Sequence, residues 1–167
     1  GISGTAAAAM AAINSLKSGI GTAMDYQQQL SGLAAILGTT TDKIKELAAQ
    51  SRELGSTTIF TAQEVVQLQT ELAKLGYATQ DIIAMTPSVL NFAQATGSSL
   101  ADAASLTGAA LRMFEKDTSH TTEYVDKMAA ATTKSALSFN YLNNALSTVA
   151  PVANAFGFEL EDVLALL

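Results

Sequence analysis

The stretch Leu54 to Val66, LGSTTIFTAQEVV, constrains the fold most, because it joins the end of one amphipathic helix to the start of the next. Gly55 can take the left-handed backbone that closes a helix cheaply, so a stop is predicted there. The hydroxyls of Ser56, Thr57 and Thr58 compete with helical hydrogen bonding, and Ile59 and Phe60 add apolar bulk. Thr61 and Glu64 have the spacing of a capping box, in which the Thr hydroxyl accepts from a free N–H and the Glu reaches back. Phe60 stands where a hydrophobic staple would pack onto Val65.

The flanking segments have helical periodicity. Over Thr41 to Leu54, residues Ile44, Leu47, Ala48, Ser51 and Leu54 share one face, with Lys43, Glu46, Gln50 and Glu53 opposite. Over Thr61 to Leu75, Val65, Leu68, Leu72 and Leu75 point inward, Gln63, Gln67, Glu71 and Lys74 outward, and Gly76 ends the helix. Thr79 is the predicted cap of the next helix, Gln80 to Thr96. Pro87 lies inside it and removes one backbone bond, so a kink or restart is expected. Ile82, Met85, Val89, Phe92 and Ala93 keep helical spacing across the proline.

Gly97 to Ser99 breaks the chain, and Ser99 to Asp102 starts a helix whose core face is Leu100, Ala103, Ala104, Thr107, Ala110, Leu111 and Phe114. Glu115 to Thr122 reads as an exposed polar turn. Glu123 to Lys134 is helical, with Tyr124, Val125, Met128 and Ala129 apolar. From Ser135 to Phe158 no residue is charged. Phe139, Leu142, Leu146, Val149, Ala153 and Phe156 recur there at helical spacing, and Pro151 predicts a second kink. This segment reads as the central helix of a bundle, covered on most sides. Gly157 stops it, and the acids Glu159, Glu161 and Asp162 open a last helix at its positive end.

No run alternates with the period of a strand. The expected fold is all-α: an irregular bundle of six to eight helices, two kinked at proline, without a sheet. Residues 1–37 form an Ala- and Gly-rich helical lead-in, with Ala6 to Ala12 strongly helix-favouring and Gly19 and Gly21 interrupting. Residues 38–167 form the core domain, and the start at Gly1 and end at Leu167 read as a piece of a longer chain. The length of 167 residues suits one domain with a real core.

Several functions are disfavoured. Net charge is −6, and the 9 basic residues are scattered without a patch, which argues against stable nucleic-acid binding. With no cysteine and a single histidine, His120 in a polar turn, no Cys/His catalytic set or Cys-based metal site can be assembled, and a zinc site would need three carboxylates at unfamiliar spacing. No phosphate loop, dinucleotide fingerprint or nucleophile elbow occurs, so no catalytic, cofactor or metal residue is assigned. The Ala-rich start and the charge-free Ser135 to Phe158 raise the alternative of a membrane-active segment. Asn140, Asn143, Asn144 and Asn154 would be costly in lipid.

The run Ala48 to Val66, followed by Leu72 to Gly76, resembles the core domain of phage tail tape measure proteins of the TP901 type, or phage-related minor tail proteins. The likeness continues through Thr86 to Gly97 and Leu100 to Ala104, fades over Leu106 to Thr122, and returns at Val125, Asp126 and Gly157 to Leu167. The positions matching the family pattern are Leu54, Gly55, Thr58, Phe60, Thr61, Glu64, Leu72, Gly76, Pro87, Leu90, Ala93, Asp126 and Gly157, all with structural roles. Two departures stand out: Glu115 follows Phe114 where the family has glycine, and Glu159 stands where a Ser or Thr cap is expected. The resemblance implies a non-enzymatic virion protein of the phage tail interior, present in the host cytoplasm during assembly. It would set tail length and be released at ejection. The implied partners are further copies of itself as a trimer, tail-tip or baseplate hub proteins, the tail tube protein and assembly chaperones. Contact with the host membrane belongs to the alternative.

Overall fold

The computed structural model describes residues 22–134 and 137–167, and the features expected at Ala6 to Ala12, Gly19 and Gly21 lie outside them. Among the described residues there are eight α-helices and no strand. They are α1 (residues 22–36), α2 (Lys45–Thr57), α3 (Ala62–Lys74), α4 (Thr79–Thr96), α5 (Leu100–Met113), α6 (Thr121–Lys134), α7 (Phe139–Ala155) and α8 (Leu160–Ala165). Short 3-10 turns, Thr41–Ile44 and Thr118–His120, lead into α2 and α6. The all-α bundle expected from periodicity is the fold observed.

From α2 onward, each helix packs chiefly on its next and next-but-one neighbours: α3 lies against α2, α4 and α5, and α4 against α5 and α6. Their apolar faces meet in one core that includes Leu47, Leu68, Leu72, Met85, Phe92, Leu111 and Met128. Helix α1 adds Leu30, Leu33 and Ala34 to that same core. Its Tyr26 hydroxyl donates to the Ala48 carbonyl at 3.1 Å and pairs with the Ser51 hydroxyl at 2.7 Å. Phe92 meets Phe139 at a ring separation of 5.9 Å, and Phe114 meets Tyr124 edge-on at 6.2 Å. The core face expected on α5 is buried as a unit, from Leu100 to Phe114.

Two expectations need correction, and one, the kink or restart at proline, is narrowed. Helix α4 begins at Thr79 itself, with Ala78 as the capping residue and no side-chain cap, so Thr79 is inside the helix rather than ahead of it. At Pro87 the helix continues without restarting, and α7 likewise runs through Pro151. Helix α7 is not the central helix. Only its Leu142, Leu146, Ala150 and Ala153 are buried, whereas Val149 and Phe156, expected inside, face solvent.

Four helix ends close the same way. The N–H two residues past the last turn reaches back five positions: Thr39 to Ala34, Tyr77 to Leu72, Lys116 to Leu111, and Phe158 to Ala153, at 2.8–3.2 Å. The turn needs a left-handed residue, supplied by Gly38, Gly76 and Gly157 but at the α5 end by Glu115, with φ 54°. Glu115, where the resemblance led to an expectation of glycine, therefore changes the residue and keeps the turn. A Cβ in that conformation costs energy that glycine avoids. Glu115→Gly is expected to raise stability by about 0.5–1 kcal/mol after the extra unfolded-state freedom of glycine is subtracted. Chemical denaturation would show this as a higher midpoint at constant slope; an unchanged or lower midpoint would contradict it.

Candidate functional site at the helix joints

The joint between α2 and α3 is built differently from its sequence expectation at one residue. Gly55 does not stop the helix: α2 continues to Thr57, and Gly55 lacks the left-handed backbone. Its role is close approach. A Cβ there would lie 2.4 Å from the backbone nitrogen of Ala62 and 2.8 Å from its Cα, so only glycine lets the start of α3 lie against α2. The helix ends instead through hydroxyls turned back on it. Ser56 and Thr57 donate to the Glu53 carbonyl at 2.8 Å, and Thr58 donates to the Leu54 carbonyl at 2.7 Å. The Phe60 N–H then donates to the Thr58 hydroxyl at 3.3 Å.

Thr61 and Glu64 form the expected capping box. The Glu64 N–H donates to the Thr61 hydroxyl oxygen at 3.2 Å, and the Thr61 N–H donates to the Glu64 carboxylate at 2.7 Å. Leu54 and Phe60 pack half-buried against the core, while Ile59 is 76% exposed. Seven of the positions on which the resemblance was read lie at this joint or on the helix it starts: Leu54, Gly55, Thr58, Phe60, Thr61, Glu64 and Leu72.

A second joint, between α3 and α4, docks on α5. Gly76 leaves room for the Arg112 guanidinium, which a Cβ would meet at 3.1 Å. That guanidinium lies 5.0 Å from the centroid of the Tyr77 ring. The Tyr77 hydroxyl donates to the Gly108 carbonyl at 2.8 Å, and burial raises its pKa above the usual phenol value despite the nearby cation. A Cβ on Gly108 would meet Leu75 at 2.5 Å and Tyr77 at 3.1 Å. Tyr77, Gly108 and Arg112 carried no sequence signal of this role; the small residue at 108 within an otherwise apolar face was the available hint.

A polar network inside the bundle links three helices. Proline 87 has no N–H, so the carbonyl one turn earlier, on Ile83, loses its helical donor. The Gln50 side-chain amide supplies the replacement, donating to the Ile83 oxygen at 2.9 Å. Gln69, fully buried, donates to the Gln50 oxygen at 3.2 Å and to the Leu47 carbonyl at 3.1 Å. Gln50 was expected on the outward face of α2; it is half-buried, facing the part-buried acceptor that the proline on α4 leaves free.

The remaining pattern positions are apart from these joints. Leu90 and Ala93 are buried in the core, Asp126 is exposed on α6, and Gly157 closes α7. Glu159 caps α8 in place of a hydroxyl residue: its N–H donates to the Asp162 carboxylate at 2.9 Å, and its carboxylate pairs with Lys116 at 3.0 Å. Lys127 bridges Glu123 at 2.6 Å and Glu161 at 2.5 Å, tying α6 to α8. Hydrogen bonds from Lys127 and then His120 hold Glu123 down at about 2. His120, partly exposed, pairs with Glu123 at 3.0 Å. The pairings already account for these carboxylates, and among the described residues no cluster of acids and histidine could hold a metal.

The outer side of α7 carries Tyr141, Val149, Val152 and Phe156, with Phe158 just beyond, all exposed. Among the described residues no helix is long and apolar enough to cross a membrane.

Comparison with known proteins gives this architecture a family. Residues 48–167, which include every pattern position named above, match the family described as phage-related minor tail protein. The tape measure protein of Pneumococcus phage Dp-1 is 28% identical over 106 residues, 64% of this chain and 9% of that protein, so the chain spans a small part of that relative's length. No solved structure matches the chain. The family match takes in the α2–α3 joint from Ala48 onward, the proline-bearing α4 and the α7–α8 turn, and on it the chain belongs to the phage-related minor tail protein family.

Proposed function

We propose that this chain is the helical core of a tape measure protein, a structural component of a phage or prophage tail. In this reading the full-length protein lies in the lumen of the tail tube, sets tail length by its own length, nucleates assembly at the tail tip and leaves during DNA ejection. The observation that carries it is the match of residues 48–167 to a minor tail protein family, supported by likeness to a protein named as a tape measure. Its partners would be further copies of itself, most simply a trimer, with tail-tip hub proteins, the tube protein and assembly chaperones. A surface of net charge −6 without a basic patch suits a lumen through which DNA later passes. The joints have no catalytic part in this reading; they set the angles between helices.

The test is made in the phage or induced prophage that encodes the protein. In-frame deletions and duplications in the full-length protein, placed outside the helical core, should shorten or lengthen tails by about 1.5 Å per residue, the rise of an α-helix. Electron microscopy of purified virions measures this directly. Tails of unchanged length would overturn the length-setting role, and virions lacking the protein by mass spectrometry would overturn the tail location.

A second reading, a membrane-active segment of the ejection conduit, draws on the exposed apolar side of α7. Flotation of the purified chain with lipid vesicles tests it, and a chain that stays with the soluble fraction removes it for this domain.

A further inference from the structure

Among the described residues, the exposed side of α7 leaves the most apolar surface unpartnered. Of the large hydrophobic side chains exposed among the described residues, Tyr141, Val149, Val152, Phe156 and Phe158 all belong to this helix or its C-terminal turn. On a helix turning about 100° per residue, Tyr141, Ala145, Val149, Val152 and Phe156 fall within one narrow stripe. This stripe runs beside the buried one formed by Leu142, Leu146, Ala150 and Ala153. Helix α7 therefore has two apolar faces, of which the bundle covers one.

We propose that this stripe is the face on which a second copy of the chain docks. The inference rests on the reading of the chain as a self-associating tail component, and adds where the contact lies. Two observations select another copy as the occupant. The first is charge. The chain carries −6 overall, yet residues 135–158 contain no charged side chain, so two acidic copies meet here without bringing like charges together. The second is area. Three aromatic side chains and two valines at these exposures offer on the order of 500 Å² of apolar surface. With a polar rim from Asn144 and Thr148, both exposed, that approaches the ~800 Å² per partner of a standard stable interface. Ala145, small and only partly exposed, lets a facing helix approach closely.

The test is the mass of the 167-residue chain by light scattering over a concentration series, for the wild type and two variants. Val152→Glu puts a charge at the centre of the stripe, at a position already 59% exposed, so the folded monomer tolerates it. Ile59→Glu is the control, since Ile59 is 76% exposed on the α2–α3 joint. Circular dichroism confirms that each variant keeps its helix content. The expected result is a wild-type oligomer, unchanged by Ile59→Glu and weakened at least ~100-fold by Val152→Glu, because the charge would be buried unpaired. An oligomer that survives Val152→Glu overturns the assignment of the face but leaves self-association standing. A wild type that stays monomeric at every concentration overturns both. A monomer that floats with phosphatidylcholine vesicles, and fails to do so as Val152→Glu, overturns the proposal in favour of a lipid-contacting face.

Discussion

Gly55→Ala is expected to destabilise the chain by about 3 kcal/mol, the upper part of the range for forcing extra volume into a packed contact. Helix propensity alone forecasts the opposite sign, a gain of roughly 1 kcal/mol, because Gly55 lies inside α2. The contact wins because the added methyl would face backbone. Ala62 nitrogen and Cα, at 2.4 and 2.8 Å, can retreat only if the start of α3 moves, and that start is pinned by the Thr61–Glu64 box. Gly32 provides the internal comparison. It sits in α1, exposed, with nothing within 4 Å of where its Cβ would be. Gly32→Ala should therefore show the propensity gain of about 0.5–1 kcal/mol. Denaturant unfolding of both variants reads the two signs side by side. A stabilised Gly55→Ala would mean that the α2–α3 joint yields freely.

The second large effect concerns Gln50. Replacing it by methionine keeps the length and removes the amide, leaving the Ile83 carbonyl without a donor where Pro87 cannot supply one. A buried acceptor stripped of its partner costs about 1–3 kcal/mol, and Gln69 would lose its acceptor on Gln50 as well. Gln50→Met is therefore expected to cost about 2 kcal/mol. The decisive comparison is made in a Pro87→Ala background, where residue 87 regains an N–H and can bond Ile83 within the helix. There the cost of Gln50→Met should fall below about 1 kcal/mol, a coupling that a double-mutant cycle isolates. Equal costs in the two backgrounds would break the link between the glutamine and the proline.

These two residues also mark the limit of what could be read in the chain beforehand. Periodicity located the helices and their inward faces, because a 3.6-residue repeat of apolar side chains can be buried in only one way on a helix. The Thr61–Glu64 and Ser99–Asp102 starts were legible because capping chemistry is local: the Asp102 N–H donates to the Ser99 hydroxyl at 3.1 Å, as the spacing requires. Gly55 was misread because a glycine has two uses, conformational freedom and close approach, and the second depends on a segment packed against it. Gln50 was misread for a related reason. A polar residue opposite an apolar face looks solvated until a proline on another helix creates an acceptor for it. Helix α7 shows the same gap on a larger scale. Its apolar positions were identified, but the number of neighbours covering them is a property of the whole bundle.

The order in which the helices pack has a mechanical consequence. From α2 onward the main helix–helix contacts join a helix to its next or next-but-one neighbour, with the Phe92–Phe139 ring contact reaching further, from α4 to α7. Contacts weighted towards near neighbours in sequence favour fast folding over a topology of the same size built from distant pairings. It also gives the chain a direction. Pulled from its C-terminal end, α8 can leave before α7 and α7 before α6, each release exposing only the few helices it packs on. In single-molecule force spectroscopy this should appear as a series of small extensions at low force. One all-or-none rupture would show instead that the core acts as a single block, able to pass a narrow opening only if it is first dismantled whole.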